Sequence, residues 1–200
     1  MSIERVDLYF LKTAGLRENS LLPLVLDGDR AYANQFRDQE RKIRALASRA
    51  LRRWCLMSAL NGAEPEVLVS DNGKPYLEGG PGFSCSSSPG LVATAVACSR
   101  ELGLDVETRS RLDQLKMTES ELREWITREA VAKGTGQGLS VALTGLSEAK
   151  KGVVSILPTN ESWQFQFAEL PIPWVGCVAK RLGSPYTIEV HEVTPTELIG

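Results

Sequence analysis

The chain has 200 residues and a net charge of −2, with 42% hydrophobic and 24% charged side chains. That balance belongs to an ordinary folded globular protein and excludes a disordered or low-complexity chain. No apolar run approaches the roughly 18 residues of a membrane span, and Met1-Ser2-Ile3-Glu4-Arg5 does not open a signal peptide, so a cytoplasmic location is expected.

Residues 3–12 alternate apolar and polar side chains, which predicts a strand. From about Asp29 to Leu60 the pattern is helical, with Ile43, Leu46, Ala47, Ala50, Trp54 and Met57 on one face and Asn61-Gly62 as the stop. This helix is locally basic through Arg37, Arg41, Lys42, Arg44, Arg49, Arg52 and Arg53, faced only by Asp38 and Glu40. Such a face is either simply solvated or attracts a polyanion. A nucleotide carrying several phosphates suits its scale better than nucleic acid, since no aromatic stacking platform is evident.

Residues 66–70 predict a strand, Asp71-Asn72-Gly73 a turn, and Lys74-Pro75-Tyr76-Leu77 its continuation; residues 79–82 predict a loop that leads into a serine-rich loop at 82–90. Residues 91–99 predict a buried strand and 102–107 another. Thr118-Glu119-Ser120-Glu121 fits a capping box, opening a helix to about Lys133 that Gly134, Gly136 and Gly138 end. Strands follow at 153–157, 163–168, 175–180 and 186–193, the last presenting His191 to solvent. Helix followed by several strands, twice, predicts an α+β fold with antiparallel sheets, divided into residues 1–100 and 101–200. The likeness of Val92-Ala93-Thr94-Ala95-Val96-Ala97 to Val175-Gly176-Cys177-Val178-Ala179 hints at duplication.

Cys55, Cys85, Cys98 and Cys177 form no CxxC pair, and His191 is the only histidine. Zinc ligands are too few and too scattered, and a Ser-His-Asp hydrolase is unsupported. Four reduced thiols are expected.

Asp105 and Glu107 stand two apart on a strand, so both carboxylates point to one side. They repel unless a cation or proton lies between them; alone, the pair equally describes a solvated strand face. On the following helix Leu122, Trp125, Ile126 and Ala130 define an apolar stripe. A step of ~100° per residue places Glu129 and Lys133 within that stripe and side by side. They form either a structural salt bridge or part of a site. Joined with Asp105 and Glu107, Glu129 would complete three hard oxygen ligands of the kind that suits Mg²⁺.

The order Gly73-Lys74-Pro75, Phe83-Ser84-Cys85-Ser86-Ser87-Ser88, Gly103-Leu104-Asp105-Val106-Glu107 and Trp125-Ile126-Thr127-Arg128-Glu129-Ala130-Val131-Ala132-Lys133 resembles the Sfp-type phosphopantetheinyl transferases. That family shows GKP, FNxSHS, GxDxE and WxxKEAxxK in the same order. The resemblance implies two pseudo-symmetric α+β halves, each a main helix on an antiparallel sheet, with coenzyme A between them. It implies transfer of phosphopantetheine from coenzyme A to a serine of an apo acyl or peptidyl carrier protein, by a monomer that needs Mg²⁺. Asp105, Glu107 and Glu129 would hold the metal, and Glu129 would take the serine proton. Lys133 would contact the phosphates of coenzyme A and assist the leaving group, while Arg44, Arg53, Lys74, Pro75, Ser86 and Ser87 would also hold coenzyme A. The chain departs from the motifs at Ser84 and Ser87, which replace asparagine and histidine, at Arg128, which replaces lysine, and in a short segment between Glu107 and Trp125. The alternative is a relative that binds coenzyme A or a carrier protein without catalysis.

Overall fold

The computed structural model describes residues 3–138, 146–156 and 159–199, for 148–150 the backbone only. The first half of the chain supplies β1 (Glu4–Lys12), α1 (Glu18–Leu21), α2 (Asp27–Ala33), α3 (Gln39–Ala59), β2 (Val67–Val69), β3 (Pro75–Leu77), β4 (Gly82–Ser88) and β5 (Leu91–Ala97). The second supplies β6 (Leu102–Thr108), α4 (Ser110–Leu115), α5 (Glu119–Thr135), β7 (Leu146–Lys150), β8 (Val153–Ile156), β9 (Glu161–Ala168), β10 (Trp174–Arg181), β11 (Tyr186–Glu192) and α6 (Pro195–Ile199).

Two sheets, in the orders β11-β1-β5-β4 and β6-β10-β9-β8-β7, carry the fold, and β2-β3 forms a separate hairpin. The class is α+β. Each sheet is built alike: its first strand pairs with the last strand before the chain leaves it, and a long helix covers one face. Strand alternation sorts β5 into two cores. Val92 and Val96 pack with Leu46, Ala50 and Leu51 of α3, while Leu91, Ala93, Ala95 and Ala97 face the second sheet. The result is four layers: α3, first sheet, second sheet, α5.

Several elements differ from the expectation. The single helix over 29–60 is two, because Asp38 breaks it: its Oδ1 accepts from the Arg41 amide at 2.8 Å and starts α3 afresh. The serine-rich loop at 82–90 is strand β4 with a turn after it, paired with β5 from Gly82 to Ser88. The last strand, expected in the second half, lies parallel to β1 in the first sheet, from Glu4 opposite Tyr186 to Phe10 opposite Glu192. All other paired strands are antiparallel. His191 is therefore no free surface group: it stacks on Tyr9 at 4.8 Å and meets Asp7 Oδ1 at 2.9 Å. Helices α1, α4 and α6 and strand β7 were not expected, being short. The expected strand end at Leu157 lies outside the described residues. No described helix is long and apolar enough to cross a membrane.

Candidate functional site

β6 places Asp105 and Glu107 on the face turned to α5, as a period of two requires. Gly103, on the same face, lets the helix come close: a Cβ there would overlap the Ala130 carbonyl and the Gly134 amide of α5. Gly134 in turn yields space to the Trp163 ring. α5 itself starts at Thr118, whose hydroxyl accepts from the Glu121 amide at 3.2 Å while Glu121 returns a bond to the Thr118 amide at 2.7 Å. Seated in this way, α5 buries Leu122, Ile126 and Ala130 and aims Lys133 at Asp105, Nζ to Oδ1 2.7 Å.

Edge strand β4 closes the site from the first sheet. Ser84 Oγ accepts from the Leu104 amide at 3.0 Å and Ser86 Oγ from the Val106 amide at 3.1 Å. Ser86 also donates to Asp105 Oδ1 at 2.9 Å and accepts from Lys133 Nζ at 3.0 Å. One donor and two acceptor positions are all a hydroxyl has, so Ser86 is saturated within the protein. Ser88 donates to Glu107 Oε2 at 3.2 Å, and Arg111 approaches Glu107 Oε1 at 3.3 Å.

The carboxylates are electrostatically crowded. Burial, and then the charge of Asp105, push the Glu129 carboxyl above its ordinary value, only partly offset by Lys133. Burial pushes Glu107 up as well, against the pull of Arg111. Glu129 makes no hydrogen bond or ion pair among the described residues. Asp105 is 5% exposed, and its Oδ2 is buried with no partner among the described residues. A buried, unsatisfied carboxylate oxygen is costly and is what a cation ligand looks like before its cation arrives. The residues thus fit a hard cation by donor type. They do not form a closed cage: the only described trio with ligand atoms within 4.8 Å of one another is Asp7, Glu189 and His191. The expected gathering of Asp105, Glu107 and Glu129 is therefore looser than a ligand set, because Lys133 lies against Asp105. In the other trio Arg5 meets Asp7 at 3.1 Å and Glu189 at 3.4 Å, so a cation already serves both carboxylates.

A cavity of about 400 Å³ opens beside Glu129 and Lys133, floored by Phe83, Ser84 and Cys85 and walled by Lys74 and Pro75. Pro75 also borders a second cavity of about 400 Å³ lined by Tyr32, Arg49, Arg52 and Arg53. There Asp29 meets Arg49 at 3.1 Å and Arg52 at 3.3 Å, Arg53 meets Glu64 at 2.6 Å, and the Arg49 guanidinium lies 3.8 Å above the Tyr32 ring. Three arginines against two carboxylates leave a positive balance.

Of the residues expected to bind a cofactor, Arg53, Lys74 and Pro75 line these cavities. Arg44 lines neither and pairs with Glu40 at 3.5 Å. Ser86 is buried and saturated, while Ser87, the next residue on a strand, is exposed on the other side. Lys74 Nζ donates to the carbonyls of Leu102, at 3.3 Å, and Gly134, rather than standing free. Burial pushes its ammonium down to about 8. Arg49 and Arg52 had been read only as part of the basic helix face, and Tyr32 had not been singled out; the spacing of Arg49, Arg52 and Arg53 at i, i+3 and i+4 was the signal for a shared wall.

Neither the protein-family models nor the curated proteins compared with this chain contain a match to it.

Proposed function

We propose that the chain transfers phosphopantetheine from coenzyme A to a carrier-protein serine with the help of Mg²⁺. One observation carries this: β4, β6 and α5, drawn from both halves, bring Ser86, Asp105, Glu107, Glu129 and Lys133 to one place, near two cavities that share Pro75 as a wall. Asp105, Glu107 and Glu129 would hold the metal, which when bound would offset the pyrophosphate charge. Lys133 supplies a positive charge where a departing phosphate would need one. Glu129, with its raised proton affinity and no hydrogen-bond or ion-pair partner among the described residues, is suited to accept the serine proton. The arginine-lined cavity suits the adenosine phosphates of the same molecule.

The direct test is incubation with coenzyme A, Mg²⁺ and a panel of apo carrier proteins, read by intact mass. One added phosphopantetheine per carrier is expected, and Asp105→Ala should abolish it. No addition to any carrier, with coenzyme A bound, would leave the second reading: a protein that holds coenzyme A without turnover. The exposed Ser87, where the family's motif has histidine, favours that reading.

A further inference from the structure

We infer that Lys133 is the resident counter-ion of Asp105 in the metal-free protein, so that its ammonium and a divalent cation compete for one carboxylate. This rests on the cleft being a cation site. Lys133 Nζ lies 2.7 Å from Asp105 Oδ1 and is fixed there by Ser86 Oγ at 3.0 Å. A divalent cation held by Asp105, at Oδ1 or at the unpartnered Oδ2, would stand close to that ammonium, and two like charges so near each other repel strongly in a partly buried site. The ammonium satisfies Asp105 incompletely: Oδ2 stays buried without a partner. Glu107 and Glu129 are not gathered by it either: among the described residues only Asp7, Glu189 and His191 have ligand atoms within 4.8 Å of one another. A point charge on one oxygen stands in for an ion that would draw in several. Lys133 also lines the cavity beside Glu129, so an ammonium displaced from Asp105 remains at the cleft. Displacement thus couples arrival of the cation to release of a positive charge next to the place proposed for the phosphates.

The test is Mn²⁺ binding to the full chain without coenzyme A, followed by electron paramagnetic resonance and calorimetry. Lys133→Met should bind Mn²⁺ at least ~10-fold more tightly than the wild type. Lys74→Met removes an equal charge from the same cleft but touches carbonyls rather than a carboxylate; it should change the affinity by less than ~3-fold, as a screened charge effect. Lys133→Met should also melt at a lower temperature without metal, and Mn²⁺ should raise its melting temperature more than it raises that of the wild type. Equal or weaker binding by Lys133→Met would overturn the inference and leave the metal site standing. Binding by neither protein would overturn both. Should Lys133→Met not fold, ¹⁵N-lysine spectra of the wild type decide: the Lys133 ammonium signal should move on Mg²⁺ addition, and an unmoved signal at saturating Mg²⁺ would refute the competition.

Discussion

Ser86 shows how far a residue's chemistry can differ from what its motif suggests. The family likeness assigns it to the cofactor, yet its hydroxyl is spent on Val106, Asp105 and Lys133. Ser86→Ala should leave the Val106 amide buried and unsatisfied, at a cost of roughly 1–3 kcal/mol in urea denaturation. It should lower kcat about tenfold, through lost positioning of Asp105 and Lys133, and spare the KM for coenzyme A. A raised KM with unchanged kcat would return Ser86 to the phosphates. Glu129 gives a pH test. Burial raises its folded-state affinity for a proton above the ordinary 4.5, so between those values the folded chain binds more protons than the unfolded one. Stability therefore falls as pH rises through that window, and the penalty persists above it. In metal-free buffer Glu129→Gln should be more stable than the wild type at pH 7, with the gain vanishing near pH 4; no gain at pH 7 would refute the crowding. The same-side placement of Asp105 and Glu107 was legible in the sequence because strand period depends on the backbone alone. The grip of Ser86 and Lys133 on Asp105 was not, since it joins strands and a helix distant in sequence.

At the scale of elements, α5 was legible almost to its ends. Its capping box, apolar stripe and terminal glycines agree with one another, and local chemistry decides all three. α3 was less so: its wheel held for Ile43, Leu46, Ala47, Ala50 and Trp54, but the buried face runs on through Leu51, Cys55 and Leu56 rather than Met57, and the cap at Asp38 lies inside a continuous basic pattern that hides the break. β4 was missed because serine is uncommon in strands. Its hydroxyls instead reach the amides of β6, a non-local bond no local pattern announces. What seats α5 is also non-local. Gly103 sits directly beneath the turn from Ala130 to Gly134, so Gly103→Ala must push the helix off β6. Overpacking of this kind costs typically 1–3 kcal/mol, and here it should cost activity as well, since Glu129 and Lys133 ride on the displaced turn. Unfolding midpoints and transfer rates measured together decide the matter. A Gly103→Ala protein with wild-type transfer would show that the site does not depend on this close approach.

For the molecule as a whole, the boundary near residue 100 separates the two sheets' main strands but not their cores. Val6, Leu8, Phe10, Leu91, Ala93 and Ala95 of the first sheet bury against Leu102, Leu104, Val106 and Val178 of the second, forming one apolar layer. Tyr186, at the start of β11, is buried in that layer and donates to the Val178 carbonyl at 2.7 Å, tying the returning strand to the second sheet as it joins the first. The order of elements suggested two halves; which face of each sheet meets the other, and where the last strand goes, depend on pairings that span almost the whole chain. Residues 1–100 expressed alone would expose the inner face of β1 and β5 and leave β1 without its parallel partner. Such a fragment should lack a cooperative transition, bind a hydrophobic dye and aggregate, whereas the full chain should unfold in a single step by both fluorescence and circular dichroism. A fragment that melts cooperatively would mean that its core with α3 suffices, and that the cleft lies between two independent bodies. The shared layer argues the opposite. Lys133 stays within reach of Ser86 because the two sheets cannot part without exposing the apolar surface that holds them together.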